Sequence, residues 1–421
     1  MKRFKQLVNE KWLQRIDVPE DLSTCIGIDV EGEKQASDIP NSSELQHRIW
    51  QKVEMLFCSG MYPTIAFCLR FQGKIILNRS LGYANNCPGL PDSSGDPIIA
   101  TPNTPICLFS ASKVITAVLI HMFVEQGKID LQSPIGDYLP LYPQSDNHPT
   151  VLQLLSHQAG IPKWPLGESK SEIFNYDYMV KLAHSLEAQW TAGEQVGYHA
   201  LTSGYLLGEI LRQVSGKDLP LLLHEMLSKP LNMDYLSYGL HDSQASSAAR
   251  NYFTGLPVLP PFSTILNPAL GMAVEEIIPI SNQPEFLKST IPAGNVFSTA
   301  EEINRLFQML LDGGSWQGVQ ILKPETLEFA IKEQNSMAMD YVLKMPMRYS
   351  AGFMLGENPI SIFGPMTRQA FGHLGFTNNL CWADQQRQTS VSILTTGKPV
   401  LGPHIPKFIS LLAELSRIRV P

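Results

Sequence analysis

The sequence predicts an α+β fold, in which an antiparallel β-sheet is flanked by helices and carries an inserted helical lobe. Three observations lead to this prediction. Apolar, strand-like segments joined by turn residues form hairpin patterns near both ends of the chain, and the middle of the chain has mostly helical periodicity. Strands from both ends can join one sheet if the middle folds as a separate group of helices. We therefore expect one interleaved unit with two lobes.

The chain divides into a short lead-in and one main domain. Residues 1–43 have a helical and then an irregular pattern, and the main domain is expected over residues 44–421. Within that domain, an α/β lobe is predicted from residues 44–112 and 290–421, and a helical lobe from residues 113–289. The length of 421 residues is ample for a large core shared by two lobes.

The predicted elements follow from periodicity and from turn or capping signals. Gln72-Gly73 joins two apolar segments as a hairpin turn. Thr299 or Ser298 caps a helix that ends near Gly313. In chain order, the predicted elements are a helix over 43–58, strands over 64–71 and 74–81, an apolar helix over 109–127, a helix over 301–314, strands over 349–355, 379–383 and 389–396, and an amphipathic helix over 405–418.

Composition excludes several classes of function. Acidic residues outnumber basic residues by 39 to 32, so a broad basic face for nucleic acid is not expected. Charged residues make up 17%, below the roughly 25% of typical soluble proteins. The most apolar segment, 114–124, is too short to span a membrane, and no apolar segment follows the basic residues at the start. We expect a cytoplasmic protein that acts on a small molecule.

The six cysteines predict neither disulfides nor a metal site. None forms a C-x-x-C pair, and no cluster of histidine and cysteine has zinc-ligand spacing. Several lie in apolar segments, where a reduced cysteine packs as a small hydrophobic residue. Reduced thiols in the cytoplasm, with no metal and no organic cofactor, are the expectation.

Ser110 and Lys113 form the S-x-x-K sequence of the chain. They lie where a loop rich in proline and glycine, 85–105, leads into the apolar helix. Residues three apart share a helix face, so the Ser110 hydroxyl and the Lys113 amine can meet. Burial near the positive end of a helix lowers the pKa of such a lysine, and a neutral amine can activate the serine as a nucleophile. A capping serine followed by an ordinary helical lysine is the alternative interpretation.

Two further segments complete a recognisable set. Tyr198 lies in TAGEQVGYHA, and His373-Leu374-Gly375 precedes the C-terminal hairpin. With these motifs the chain resembles the serine β-lactamase and penicillin-binding-protein superfamily, and within it the class C β-lactamase branch, family VIII carboxylesterases and related acyltransferases. That family carries S-x-x-K, Y-x-N, and K-T-G or H-x-G in this order. The resemblance covers roughly residues 45–415.

The resemblance implies roles for the motif residues. Ser110 would be the acylated nucleophile, and Lys113 and Tyr198 would share its proton, with either of them as the base. The third-motif segment would be an edge strand beside the pocket. The backbone N–H groups of Ser110 and Phe376 would form the oxyanion hole.

The second motif departs from the family pattern at one position, and the third motif has the H-x-G form rather than K-T-G. Ala200 replaces the asparagine that contacts the acylamino group of β-lactams and peptides, and alanine cannot make that hydrogen bond. His373 replaces a fixed cation that would bind a substrate carboxylate. His373 and Gly375 are expected in the pocket wall. His199 either lines the pocket too or points away from Tyr198, since adjacent residues of an extended segment alternate.

The sequence therefore predicts a serine hydrolase that cleaves small carboxylic esters through an acyl-Ser110 intermediate. Water would release the acyl group, or an alcohol or amine would accept it in an acyltransferase variant. A small-molecule ester or amide is the expected substrate, without nucleic acid and without a membrane span. A β-lactamase or D-amino-acid peptidase of the same fold is the alternative. A non-catalytic member of the family is a further alternative, which the complete Ser110, Lys113 and Tyr198 set disfavours.

Overall fold

Strands from both ends of the chain form the central sheet. The computed structural model describes residues 13–91, 93–142, 148–164 and 172–420. The strands of that part are β1 (Ile26–Ile28), β2 (Thr64–Phe71), β3 (Lys74–Asn85), β4 (Ile98–Ile99), β5 (Ile106–Cys107), β6 (Ser237–Tyr238), β7 (Val296–Ser298), β8 (Ser315–Trp316), β9 (Val319–Gln320), β10 (Ala338–Met339), β11 (Pro346–Met347), β12 (Met354–Leu355), β13 (Ala370–Leu374), β14 (Leu380–Asp384) and β15 (Thr389–Thr395). The main sheet has the order β1-β3-β2-β15-β14-β13-β12, with β4 on β3. The predicted α+β class is confirmed.

Helices occupy most of the middle of the chain and both faces of the sheet. They are α1 (Val30–Glu33), α2 (Ser42–Phe57), α3 (Ser112–Glu125), α4 (Val151–Leu155), α5 (Tyr176–His184), α6 (Thr202–Ser215), α7 (Leu219–Leu223), α8 (Asp242–Ala245), α9 (Phe262–Leu270), α10 (Val274–Ile280), α11 (Pro284–Lys288), α12 (Ala300–Leu311), α13 (Pro324–Ile331) and α14 (His404–Leu415). None of the helices in the described part of the chain has the length and apolar character to cross a lipid bilayer.

The hairpin between β2 and β3 has the turn that its sequence predicts. Gln72 and Gly73 have φ values of +52° and +79°, the left-handed conformation that tight hairpin turns require. The two strands pair antiparallel from Phe71 and Lys74 outward. Strand β3 continues to Asn85, beyond the predicted end, because its second half also pairs with β1 and β4.

Alternate residues of β2 pack against different helices. Ile65 and Phe67 belong to one buried cluster with residues of α2 and α14, whereas Ala66 and Cys68 belong to another cluster with residues of α12. Helices therefore cover both faces of the sheet, and β2 is buried along its whole length. This explains why its sequence is a nearly continuous apolar segment rather than an alternating one.

The structure departs from the predicted elements at both ends of the sheet. The lead-in contains a strand, β1, which pairs with β3 at one edge. The helix predicted at the start of the chain falls mostly on residues 1–12, outside the described residues. The strand predicted over 349–355 is reduced to β12, because the segment before it makes only an isolated bridge, Tyr349 to Met354.

A small second sheet attaches the middle of the chain to the start of α3. Its order is β5-β7-β6. Just after β5, the Leu108 N–H donates to the Val296 carbonyl at 2.8 Å, and the Val296 N–H donates to the Ser112 hydroxyl at 3.0 Å. These bonds hold residues 293–296 beside the segment that carries Ser110.

All six cysteines are unpaired, and only Cys58 is exposed. Burial raises the pKa of the Cys87 and Cys107 thiols to about 12, which keeps both protonated and unreactive. Cysteines other than Cys58 are buried, as predicted for small apolar packing residues.

Candidate active site

Ser110 lies in a single 3-10 turn, Phe109–Ala111, between β5 and α3. Helix α3 begins at Ser112, so the serine precedes the regular helix by two residues. Phe109 has φ +49°, a conformation that bulky side chains rarely adopt and that occurs at functional turns. The turn presents the half-buried Ser110 to a cleft of about 100 Å³.

The Lys113 amine is enclosed by the protein and is held by carbonyl groups. It donates to the Ala200 carbonyl at 2.7 Å and to the Ala293 carbonyl at 3.4 Å. Burial lowers the pKa of Lys113 to about 7, as the sequence predicts for a lysine in an apolar helix. A large fraction of this amine is therefore neutral at physiological pH and able to accept a proton.

Tyr198 connects the lysine and the serine. The Lys113 Nζ atom lies 4.8 Å from the centre of the Tyr198 ring. Burial raises the pKa of the Tyr198 phenol above its ordinary value of 10, against the opposing effect of a hydrogen bond with the Ser110 side chain. The phenol thus stays protonated at neutral pH. The structure brings these three residues together, although the first two lie 85 or more positions from Tyr198 in the chain.

A buried carboxylate that the sequence analysis missed holds Tyr198 in position. The Tyr198 N–H donates to Asp340 Oδ1 at 3.2 Å, and the same oxygen accepts the N–H groups of Val342 and Leu343 at 2.8 Å. The Tyr349 hydroxyl donates to Asp340 Oδ2 at 2.8 Å. Asp340 lies in a loop without motif or periodicity, so no local signal marks it.

His157 and His199 form a buried support beneath Tyr198. The His199 N–H donates to His157 Nδ1, and the Ile161 N–H donates to His199 Nε2, both at 3.2 Å. The His157 ring lies 4.8 Å from the Tyr198 ring. Burial lowers the pKa of His199 to about 3, so its ring is neutral. His199 is fully enclosed and does not line the cleft, so its position does not support the predicted contact with the substrate.

The third motif reaches the site at the end of β13. This strand is second from the edge rather than at the edge, because β12 pairs with Phe371 and Gly372. The pairing between β12 and β13 stops before His373, so the third motif extends beyond the edge strand β12. The His373 ring lies 6.1 Å from the Tyr198 ring, and its Nδ1–H donates to the Leu374 carbonyl at 2.6 Å. Burial, with a smaller effect from Lys113, lowers the pKa of His373 to about 3.

Gly375 and Phe376 close the site against the serine turn. A Cβ atom on Gly375 would lie 2.5 Å from the Leu108 carbonyl oxygen, so only glycine permits this approach. The Phe376 ring lies 5.3 Å from the Phe109 ring and lines the cleft with Ser110. Gly375 therefore acts through close packing, and Phe376 is the residue of this segment that reaches the cleft.

Lys398 is a second buried lysine, and its amine contacts Phe109 of the serine turn. Its amine donates to the Thr395 carbonyl at 2.5 Å and to Asn379 Oδ1 at 3.3 Å, and it lies 4.9 Å from the centre of the Phe109 ring. Burial lowers the pKa of Lys398 to about 7. The sequence indicates only a strand end here, which is confirmed because β15 ends at Thr395. The contact with Phe109 spans most of the chain and has no local signal.

The described residues contain no group of three or more histidine, cysteine, aspartate or glutamate side chains arranged to hold a metal ion. What the site offers is a hydroxyl, a protonated phenol and an amine with a pKa near neutrality. These are the parts of a nucleophile and its base.

Comparison with known proteins identifies the family. Residues 49–414 match the Beta-lactamase family, and the chain belongs to this family. Among characterised proteins, it is similar to Esterase/beta-lactamase LipL of Mycobacterium tuberculosis, with 26% identity over 314 residues that cover 70% of each chain.

Solved structures share the architecture. A penicillin-binding protein homologue from Caulobacter crescentus is 25% identical, with a TM-score of 0.76 over 89% of this chain and 97% of that one. A family VIII carboxylesterase is 22% identical, with a TM-score of 0.73 over 87% of this chain and 96% of that one. These likenesses bear out the fold that the three motifs predict.

Proposed function

We propose that this protein is a serine hydrolase that cleaves small carboxylic esters through an acyl-Ser110 intermediate. The observation that carries the proposal is the grouping of Ser110, which lines the cleft, with Tyr198, whose ring centre lies 4.8 Å from the Lys113 amine. The similarity to a protein named esterase/beta-lactamase supports the same class of reaction.

Lys113 is the base in this proposal. Its pKa of about 7 lets it take the Ser110 proton, directly or through the Tyr198 phenol, while the pKa of the phenol itself is too high for it to start as a base. The Ser110 oxygen attacks the ester carbonyl, and the lysine then returns the proton to the departing alcohol. A water molecule then attacks the acyl-Ser110 ester through the same proton transfers and releases the acid. The Ser110 and Phe376 N–H groups stabilise the oxyanion in each half.

The substituted positions of the motifs favour esters over β-lactams. Ala200 presents a methyl group to the cleft, and its carbonyl is occupied by Lys113. His373 is neutral, so the third motif offers no cation to a substrate carboxylate. The β-lactamase alternative remains because the LipL name includes that activity. Peptides and β-lactams would therefore lose two contacts, the hydrogen bond of the second-motif asparagine and the cation of the third motif.

Labelling and turnover test the proposal together. A fluorophosphonate should modify Ser110 in the folded protein, as read by mass spectrometry, and p-nitrophenyl butanoate should be turned over with a kcat/KM well above that for nitrocefin. Ser110→Ala should abolish both labelling and turnover, whereas Ser247→Ala, at an exposed serine, should change neither. Absence of an adduct at Ser110 would overturn the proposal, and faster nitrocefin turnover would favour the alternative.

We also propose that the protein resides in a reducing compartment such as the cytoplasm. Five buried, unpaired cysteines are compatible with it, because buried thiols in such compartments remain reduced.

A further inference from the structure

The cleft beside Ser110 is lined by apolar side chains from several elements. Among the described residues that line it, none carries a charged side chain, and the hydroxyls of Ser110 and Tyr205 are the polar side-chain groups. Met179 comes from α5, and Leu201 precedes α6. A concave apolar surface that opens beside a nucleophile binds the part of a substrate that does not react.

One wall of the cleft is made by the short helices α9–α11. Leu270, Met272 and Ile277 line it, and each of these side chains is only partly buried. Partly exposed apolar side chains grouped around a concavity gain free energy when a ligand covers them. This wall therefore fits a hydrocarbon ligand rather than a packed core.

The size of the cleft limits the ligand. Its volume is about 100 Å³, whereas sites for drug-sized ligands have roughly 300–1,000 Å³. A single hydrocarbon chain of medium length fits such a space better than a fused ring system or a long-chain lipid.

The lining of the cleft disfavours ionic substrates, because neither Lys113 nor any other charged side chain is among the described residues that line it. His373 is neutral, and the Lys398 amine is bonded to Thr395 and Asn379 and does not line the cleft. No carboxylate lines the cleft to pair with the ammonium group of an aminoacyl ester. An uncompensated charge is strongly disfavoured in an apolar site.

We propose, on the basis of the proposed esterase function, that this cleft binds the medium-length hydrocarbon chain of a neutral ester. The side chains on α9 and α10 determine the preferred chain length. The chain can belong to the acyl group or to the alcohol, and the two sources are separated by experiment.

Two substrate series test the proposal on the wild-type enzyme. In the acyl series, p-nitrophenyl acetate, butanoate, octanoate and palmitate share one leaving group. In the alcohol series, ethyl, butyl and octyl acetate share one acyl group. We expect kcat/KM to rise at least tenfold in one series, either from acetate to octanoate or from ethyl to octyl acetate. The reason is that each buried methylene contributes about fourfold. The series that rises identifies the side that occupies the cleft.

A flat response in both series would overturn the inference. A p-nitrophenyl aminoacyl ester that is cleaved faster than the butanoate would overturn it too. If no ester is cleaved and Ser110 is not labelled, the proposed function fails as well. If acetate is cleaved without any chain preference, only the present inference fails.

Variants on one helix locate the preference. Leu270→Trp should fill the cleft. In the series that rises, it should lower the kcat/KM of the eight-carbon member relative to that of the shortest member at least tenfold. Ile265→Trp, on the same α9 helix but beside a separate cleft, is the matched control and should keep the wild-type ratio. This ratio of kcat/KM values does not depend on how much of the enzyme is active. If Leu270→Trp does not fold, Ile277→Trp takes its place. Unchanged ratios in both cleft variants, or an equal loss in Ile265→Trp, would contradict the inference.

Discussion

Burial sets the charge of each side chain at the site. It lowers the pKa of Lys113 from 10.5 to about 7 and that of His373 from 6.5 to about 3, and it raises the pKa of Tyr198 above 10. Of these three groups, only the lysine changes its charge near neutral pH. A proton acceptor is most effective when its pKa lies near the working pH. Lys113 therefore has the properties that a base for Ser110 requires.

The pH dependence of ester cleavage should report the Lys113 amine. Only the neutral amine accepts the serine proton, so kcat/KM should rise with pH, about tenfold per unit below an inflection near 7, and level off above it. His373→Gln is the control and should keep that inflection, because the His373 ring is already neutral there. The profile is measured with p-nitrophenyl butanoate after subtraction of spontaneous hydrolysis. An inflection that disappears in His373→Gln would assign the base to the histidine.

Asp340 should act as a positioning residue for Tyr198. In Asp340→Asn the amide cannot accept the Tyr349 hydroxyl and the Tyr198 N–H together as the carboxylate does, so the phenol shifts relative to Ser110. We expect kcat to fall about tenfold with KM changed less than threefold, per active site titrated with fluorophosphonate. Tyr349→Phe keeps the contact with the Tyr198 N–H and should lower kcat less. Full kcat in Asp340→Asn with only a lower Tm would assign the carboxylate a purely structural role.

At the scale of elements, the site is a junction of segments that approach one another unusually closely. The segment that leads into the serine turn pairs with Phe297 and Ser298 through β5 and β7, and its Leu108 N–H donates to the Val296 carbonyl. The same segment meets the end of β13 at Gly375. Helix α6 also approaches this junction, since a Cβ atom on Gly204 would lie 2.5 Å from the Ala293 Cβ. Small residues at these crossings fix how near the backbones come, and thereby where Ser110 lies relative to Phe376.

Gly375→Ala should separate the third motif from the serine turn. The added methyl group would lie 2.5 Å from the Leu108 carbonyl oxygen and 2.7 Å from the Asn379 Cβ, so one segment must move. We expect a loss of about 1–3 kcal/mol in the free energy of unfolding and at least a hundredfold loss of kcat/KM, measured by urea denaturation and by ester turnover. Gly73→Ala, at a hairpin turn with free space around the Cβ position, should destabilise through its φ of +79° alone and keep activity. Normal activity in Gly375→Ala would show that the approach is not required.

The elements differ in how far sequence alone predicts them. The strand over 64–71 and the final hairpin were predictable because short apolar segments and the turn residues beside them determine them locally. Ser110 and Lys113 were identifiable because their spacing is local. Strand β1 was not, since three residues carry no periodicity and the strand exists through its pairing with β3. Asp340 and Lys398 were missed for the same reason, because each acquires its role from partners distant in sequence.

At the scale of the whole molecule, one buried cluster joins the sheet to helices from the middle of the chain. Residues of the sheet such as Cys68 and Leu394 belong to the same cluster as Leu119 of α3 and Leu206 of α6. The other cluster includes Ile16 and Cys25 of the lead-in together with Phe67 of the sheet. Continuous cores of this kind couple the stability of their parts. We therefore expect the lead-in and the two lobes to unfold together.

Glu33→Gln tests whether the lead-in is part of that cooperative unit. The buried Glu33 carboxylate accepts two N–H groups of Arg79, at 2.8 and 2.6 Å, and the Asn78 N–H at 3.0 Å, and so fastens the lead-in to β3. Loss of the charge leaves the mostly buried Arg79 unpaired, and we expect the free energy of unfolding to fall by about 2–4 kcal/mol in a single transition. Lys34→Met removes an exposed ion pair with Glu31 from the same segment and should change the stability by less than about 0.5 kcal/mol. Urea denaturation followed by both circular dichroism and esterase activity provides the measurement. In Glu33→Gln, circular dichroism could show a transition at lower urea while activity is still lost at the wild-type midpoint. That result would mean that the lead-in unfolds independently of the catalytic core.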